Sequence, residues 1–167
     1  MAKPLPNEDA LYERIRDEKI TIPPFIWDAM YNLLGDSVSF INFQVSYYLD
    51  QNKPIPVEDS RKILDYVMRS VEIVRKIICP ERITDKDASL QKVKREGTIL
   101  NPLIREFYTH YLGNDLHIMG LCVQYYLDPA GERPIPVADA RKILDATLSM
   151  RKFLNRLRQA TSPSIAS

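Results

Sequence analysis

A chain of 167 residues suits one compact domain that buries roughly 70% of the surface its unfolded form exposes, so neither disulfide nor metal is needed to hold a core. Lysine and arginine number 23 against 22 aspartates and glutamates, and the formal charge of +1 excludes a global field that draws the protein onto nucleic acid or an anionic membrane. There is no apolar leader and no apolar run near 18 residues, and Cys79 and Cys122 form no close-spaced pair; the expectations are no membrane span, a cytoplasmic location and reduced thiols, with Cys122 a small core residue.

The chain repeats itself. Residues Asn7 to Asp50 match Asp85 to Asp128 without a gap, carrying Ile15 onto Val93, Pro24 onto Pro102 and Gly35 onto Gly113. After Asp50 the second copy carries two extra residues, and then Pro54-Ile55-Pro56-Val57 returns as Pro134-Ile135-Pro136-Val137. A block that recurs in fixed order is one supersecondary unit used twice, and the insertion marks a loop. The two repeats are about 7–79 and 85–158, within a single helical domain spanning 1–160.

Each copy reads as three helices. The first is short, about 8–18 behind an Asn7 cap and about 86–96 behind Asp85, with Gly97 ending the second example. Prolines 23, 24 and 102 then force an extended connector. The second helix is long, about 25–51 and 103–128, and Ile26, Met30, Leu33, Ile41, Val45 and Tyr48 share a broad apolar face. Gly35 and Gly113 interrupt it at matched positions, which predicts a kink with Asp36 or Asn114 capping a new segment, or else close approach of a neighbouring backbone.

The third helix opens at Pro56 or Pro136, with Glu58, Asp59 and Asp139 at the positive end of its dipole. Its buried stripe is Ile63, Leu64, Val67, Val71, Val74 and Ile78 in one copy, and Ile143, Leu144, Thr147, Leu148, Leu154 and Leu157 in the other. Residues 161–167 read as a flexible tail. The expected fold is all-α: a four-helix-bundle-like core of two tandem hairpins, each preceded by a short helix, with pseudo-twofold symmetry.

Chemistry-bearing residues are sparse. His110 and His117 are the only histidines, and on one helix they stand about 10 Å apart along the axis, too far to share an ion; neither metal nor cofactor is expected. Arg105 and His110, with four residues between them, are the catalytic candidates. Their spacing resembles the short motif of HEPN-type helical-bundle ribonucleases, which implies RNA binding and cleavage by that pair across a dimer interface. Here Glu106 follows the arginine, and the first repeat carries Trp27 and Asn32 in place of the pair. Without that resemblance Arg105 reads as a solvated surface residue and His110 as a half-buried one.

Tyr47-Tyr48 and Tyr125-Tyr126 recur together with the Pro-Ile-Pro loop, and a structural corner accounts for them, one ring of each pair in the core and its hydroxyl on the loop backbone. A basic cluster of Arg75, Lys76, Arg82, Lys86, Lys92, Lys94 and Arg95, with Arg151, Lys152, Arg156 and Arg158 near the C-terminus, supplies the nucleic-acid candidates Lys86, Lys92, Lys94 and Arg95. Trp27, Tyr31 and Phe43 fall beside the main apolar stripe of their helix and are the candidate protein-binding patch. The reading is a non-enzymatic helical interaction or regulatory protein that binds a protein partner and can pair with itself. A HEPN-like ribonuclease is the alternative from another class, and a nucleic-acid-binding module the third.

Overall fold

In the computed structural model, which describes residues 7–84, 86–96 and 101–161, the two Pro-Ile-Pro loops lie against each other. The Ile55 N–H donates to the Ile135 carbonyl at 2.9 Å and the Ile135 N–H returns the bond at 2.9 Å, the one antiparallel bridge among the described residues. Proline on either side leaves each isoleucine with the only backbone donor of its Pro-Ile-Pro tripeptide, and a buried amide must find an acceptor. Both isoleucines are fully buried.

The helices are α1 (Glu8–Asp17), α2 (Pro24–Ala29), α3 (Gly35–Asp50), α4 (Val57–Ile78), α5 (Ala88–Glu96), α6 (Pro102–Phe107), α7 (Gly113–Tyr126) and α8 (Val137–Thr161). α3 and α4 form one hairpin, α7 and α8 the other, and α3 packs on α8 while α4 packs on α7, closing a ring of four long helices around the core. The short helices cross over: α1 lies on α8 of the other half, and α5 lies on α2 and α4.

At the glycine interruptions the helix changes its winding and does not start a new capped segment. Single π-helical turns, Met30–Leu34 and Tyr108–Leu112, join α2 to α3 and α6 to α7, so each long helix runs unbroken past its glycine. Gly35 is helical (φ −59°, ψ −42°), the residue before α3 makes no side-chain cap, and a Cβ added at either glycine meets nothing within 4 Å. Neither a new cap nor a close backbone approach explains them. A π turn inserts one extra residue, and the buried face shifts accordingly: Ile26, Met30, Leu34, Val38, Ile41 and Val45 are buried, whereas Leu33 and Tyr48 are half-buried. At the centre the Tyr108 hydroxyl donates to the Met30 sulfur, 78 residues away in the chain.

Other boundaries also move. α5 starts behind Asp87, whose carboxylate accepts the Leu90 N–H at 3.2 Å; the expected cap, Asp85, and the expected stop, Gly97, lie outside the described residues. Thr161, expected to open the tail, is the last residue of α8, buried, with its hydroxyl on the Leu157 carbonyl at 2.8 Å. Leu148, expected inside, is 49% exposed, because the α8 stripe follows Ile143, Thr147, Met150, Leu154 and Leu157, and Phe153 joins the core beside it. Among the described residues no helix is long and apolar enough to cross a membrane, and no buried side-chain nitrogen or oxygen lacks a hydrogen-bond partner.

Candidate functional site

Two hollows meet at Tyr31. One, of about 340 Å³, runs between the π turn with the start of α3 and the C-terminal half of α8; it is lined by Met30, Tyr31, Asp36, Ser39, Arg151 and Leu154. The second, of about 350 Å³, continues past Trp27, Asp28, Arg158 and Thr161. Their sizes fall in the range of ligand pockets, and together they make one groove between an aromatic wall and a basic one.

Local sequence explains both walls. Pro23 and Pro24 set the start of α2, which places Trp27 one turn in and Tyr31 one turn further, their rings 5.9 Å apart. Gly35 follows on the same side, leaving the wall open where a side chain would project. On α8, the stretch from Ala146 to Thr161 holds Arg151, Lys152, Arg156 and Arg158 and no carboxylate. Arg151 donates to the Ser39 hydroxyl at 3.1 Å, and the Arg158 guanidinium lies 5.1 Å above the Tyr31 ring. Asp28 and Asp36 stand on the facing wall.

The structure thus brings Trp27 and Tyr31 into one groove, while Phe43 stands outside its lining, 69% exposed on α3. Residues 37–49 of that helix carry no charge, and neither do residues 118–126 of α7, where Leu121 (54% exposed) aligns with Phe43 in the sequence. The contribution of α8 was not legible from the sequence, since nothing in the chain says which helix lies beside Trp27. Its signal was the acid-free basic stretch.

The ribonuclease candidates stand on one continuous helical run, Arg105 in α6 and His110 in the π turn that follows it. Arg105 is exposed; His110 is half-buried beside Glu106, Nε2 to Oε1 3.7 Å. The hollow bordered by His110 is about 10 Å³ and does not include Arg105, too small to admit a phosphate. In the basic cluster, Lys92 lies 5.9 Å from the Phe25 ring and Lys94 donates to the Ile83 carbonyl at 2.8 Å, both anchoring α5 to the body. Lys86 and Arg95 are exposed.

The tyrosine corners have a different partner from the expected loop backbone. The Tyr48 hydroxyl donates to the Asp59 carboxylate and the Tyr126 hydroxyl to Asp139, while Tyr47 and Tyr125 remain outside, each edge-on to its neighbour at 5.1 Å. These hydrogen bonds push both phenols up to about 12, and that from Tyr126 holds the Asp139 carboxyl below the usual range. Cys122 sits nearby, its thiol pushed up by burial and then by Asp139, the reverse of what an activated nucleophile requires. Among the described residues no three histidine, cysteine, aspartate or glutamate side chains gather as a metal site.

Comparison with known protein families, curated proteins and solved structures returns no match to this chain.

Proposed function

We propose that this protein works by binding another protein, with the groove between α2–α3 and α8 as its docking surface and an amphipathic, acidic segment of the partner as the occupant. One observation carries the reading: Trp27 and Tyr31 line a groove whose facing α8 wall contributes Arg151 and Arg158 and no carboxylate. Aromatic anchors and arginine are the residues that concentrate binding energy at interfaces, and a cationic wall selects a partner with carboxylates beside its apolar positions. The π turn supports the reading, since such turns recur at functional places in helices. Gly35 adds to it by keeping the floor open at no steric gain to the fold.

Peptide display on the intact chain tests the proposal. The expected outcome is enrichment of sequences that pair an apolar or aromatic anchor with aspartate or glutamate. Their binding is expected to fall roughly tenfold or more in Trp27→Ala and in Arg151→Glu, the loss of one anchoring contact. Because Trp27 is the only tryptophan, its fluorescence reports occupancy directly. Selected peptides that are basic, or that bind both variants as well as the parent, overturn the proposal. Incubation with labelled RNA provides the complementary check: no cleavage sensitive to His110→Ala is expected.

A further inference from the structure

The two short helices rest on seats that the repeat makes from the same positions, and the seats are filled unequally. Under α1, Tyr12, Phe107, Tyr111 and Phe153 form a continuous aromatic stack, with centroids 5.4 Å apart for Tyr12–Phe107, Phe107–Tyr111 and Tyr111–Phe153. Arg156 closes it, 4.2 Å above the Tyr12 ring and 2.5 Å from Asp9.

Under α5 the corresponding positions hold Leu90, Ala29, Leu33 and Ile73, with Lys76 in the place of Arg156. Leu90 and Ala29 still pack with Val93 and Ile83, so the helix is seated. Leu33 and Ile73, however, stand where the other half has the rings of Tyr111 and Phe153. Between α4 and α5 this leaves a groove of about 600 Å³ whose apolar floor is Leu33, Met68, Ile73 and Leu90. Met68 is 45% exposed there.

The filled seat indicates what suits the empty one, because the same backbone scaffold already accommodates stacked rings beneath a cation. The rim adds a charge preference: Asp65, Glu72 and Asp87 outnumber Arg69 and Lys76. Arg69 lies 5.0 Å from the Tyr66 ring and Glu72 pairs with Arg75 at 3.2 Å, while on the floor Leu90 is buried, Leu33 and Ile73 are half-buried and Met68 is exposed. A neutral ring with positive charge beside it matches both floor and rim. We propose that the groove between α4 and α5 is a second docking site, one that takes an aromatic side chain flanked by basic residues on a peptide segment of a partner protein.

The site shares no lining residue with the groove at Trp27, so the two stand or fall separately. The test is a methyl NMR titration of the full-length chain with two capped tripeptides, Lys-Trp-Lys and Lys-Ala-Lys. Saturable shifts at Leu33, Met68, Ile73 and Leu90 are expected with the first and roughly tenfold weaker binding with the second, about what loss of one buried ring costs. Ile73→Phe combined with Leu33→Tyr copies the filled seat and is expected to abolish the shifts. Met68→Ala, at an exposed position that leaves the core intact, removes apolar floor without changing charge and is expected to weaken them. Trp27→Ala is expected to leave them unchanged. Absence of saturable shifts, equal response to the alanine tripeptide, or shifts that persist in both the filled variant and Met68→Ala each overturn the proposal.

Discussion

The loop end of the molecule and its short-helix end differ in how alike the two halves of the chain are. At the loop end, on either side of the two-residue insertion, the inner tyrosine, Pro-Ile-Pro and the aspartate and lysine after it occur in both halves and make the same bonds: Ile55 with Ile135, Tyr48 with Asp59, Tyr126 with Asp139, Lys62 near Asp59 at 3.6 Å and Lys142 near Asp139 at 3.2 Å. At the short-helix end the copies have drifted, aromatic under α1 and aliphatic under α5. The difference teaches where identity matters. Backbone that must pair with its own counterpart tolerates little variation, whereas a seat for a short helix can be filled by rings or left partly open.

That contrast can be broken from the drifted end first. Phe153→Ala removes the centre of the stack and is expected to cost about 3–5 kcal/mol, while Ile73→Ala, at the matched but half-buried position, is expected to cost about 1 kcal/mol. Chemical denaturation of both variants measures the asymmetry, and equal losses would remove it. At the loop end the effects should instead come in pairs. Ile55→Ala and Ile135→Ala are each expected to lose about 2–5 kcal/mol, by amounts that agree closely, since each deletes a fully buried side chain on the same bridge.

The corners give a smaller pair. Tyr48→Phe and Tyr126→Phe each remove a hydrogen bond to a carboxylate, worth about 1.5–3 kcal/mol. Their pH signature has a definite sign. Asp139 titrates lower folded than unfolded, so its contribution is present above the ordinary carboxylate range and is lost as pH falls through its folded value. Both phenols titrate higher folded, about 12, so their contribution is present below about 10 and is lost as pH rises between the two values. Melting temperature against pH should therefore fall less steeply at both extremes in Tyr126→Phe than in the parent.

The smallest effect reverses direction. Gly35→Ala and Gly113→Ala are each expected to stabilise by about 0.4–1 kcal/mol, because both positions are helical and a Cβ meets nothing within 4 Å. Gly35→Ala additionally places a methyl in the groove at Tyr31, so weakened peptide binding there, without a matching effect in Gly113→Ala, would sharpen the distinction between the halves.

Helical periodicity made the all-α class, the helix order and most of the core legible from the sequence. What it missed has physical causes. Leu34 and Val38 face the core where Leu33 was expected because a π turn adds a residue that a fixed period does not anticipate, and Tyr48 is half-buried with its hydroxyl on Asp59. Leu148 turned outward because Met150 and Phe153, two and five residues on, are the side chains that reach the partners of α8. Asp87 caps α5 although the repeat pointed to Asp85. Trp27 and Tyr31 were legible as residues off the stripe, but the groove they line depends on α8, and its neighbour between α4 and α5 depends on Leu33 and Ile73 being smaller than Tyr111 and Phe153. Such differences acquire meaning only once the chain is folded.

The clasp of α1 on α8 joins the beginning of the described chain to its end: Arg156 reaches Glu8 at 3.4 Å, and the Tyr12 hydroxyl reaches the Phe153 carbonyl at 3.4 Å. In effect the polypeptide closes into a loop. Neither end can fray by itself, since unwinding α1 strips the cover from the C-terminal helix, and loss of that helix releases α1. Trimming the first 20 residues should therefore expose the last turns of α8 to carboxypeptidase. A circular permutant opened in the stretch between α4 and α5, with the present ends joined by a short flexible linker, should keep the same fold.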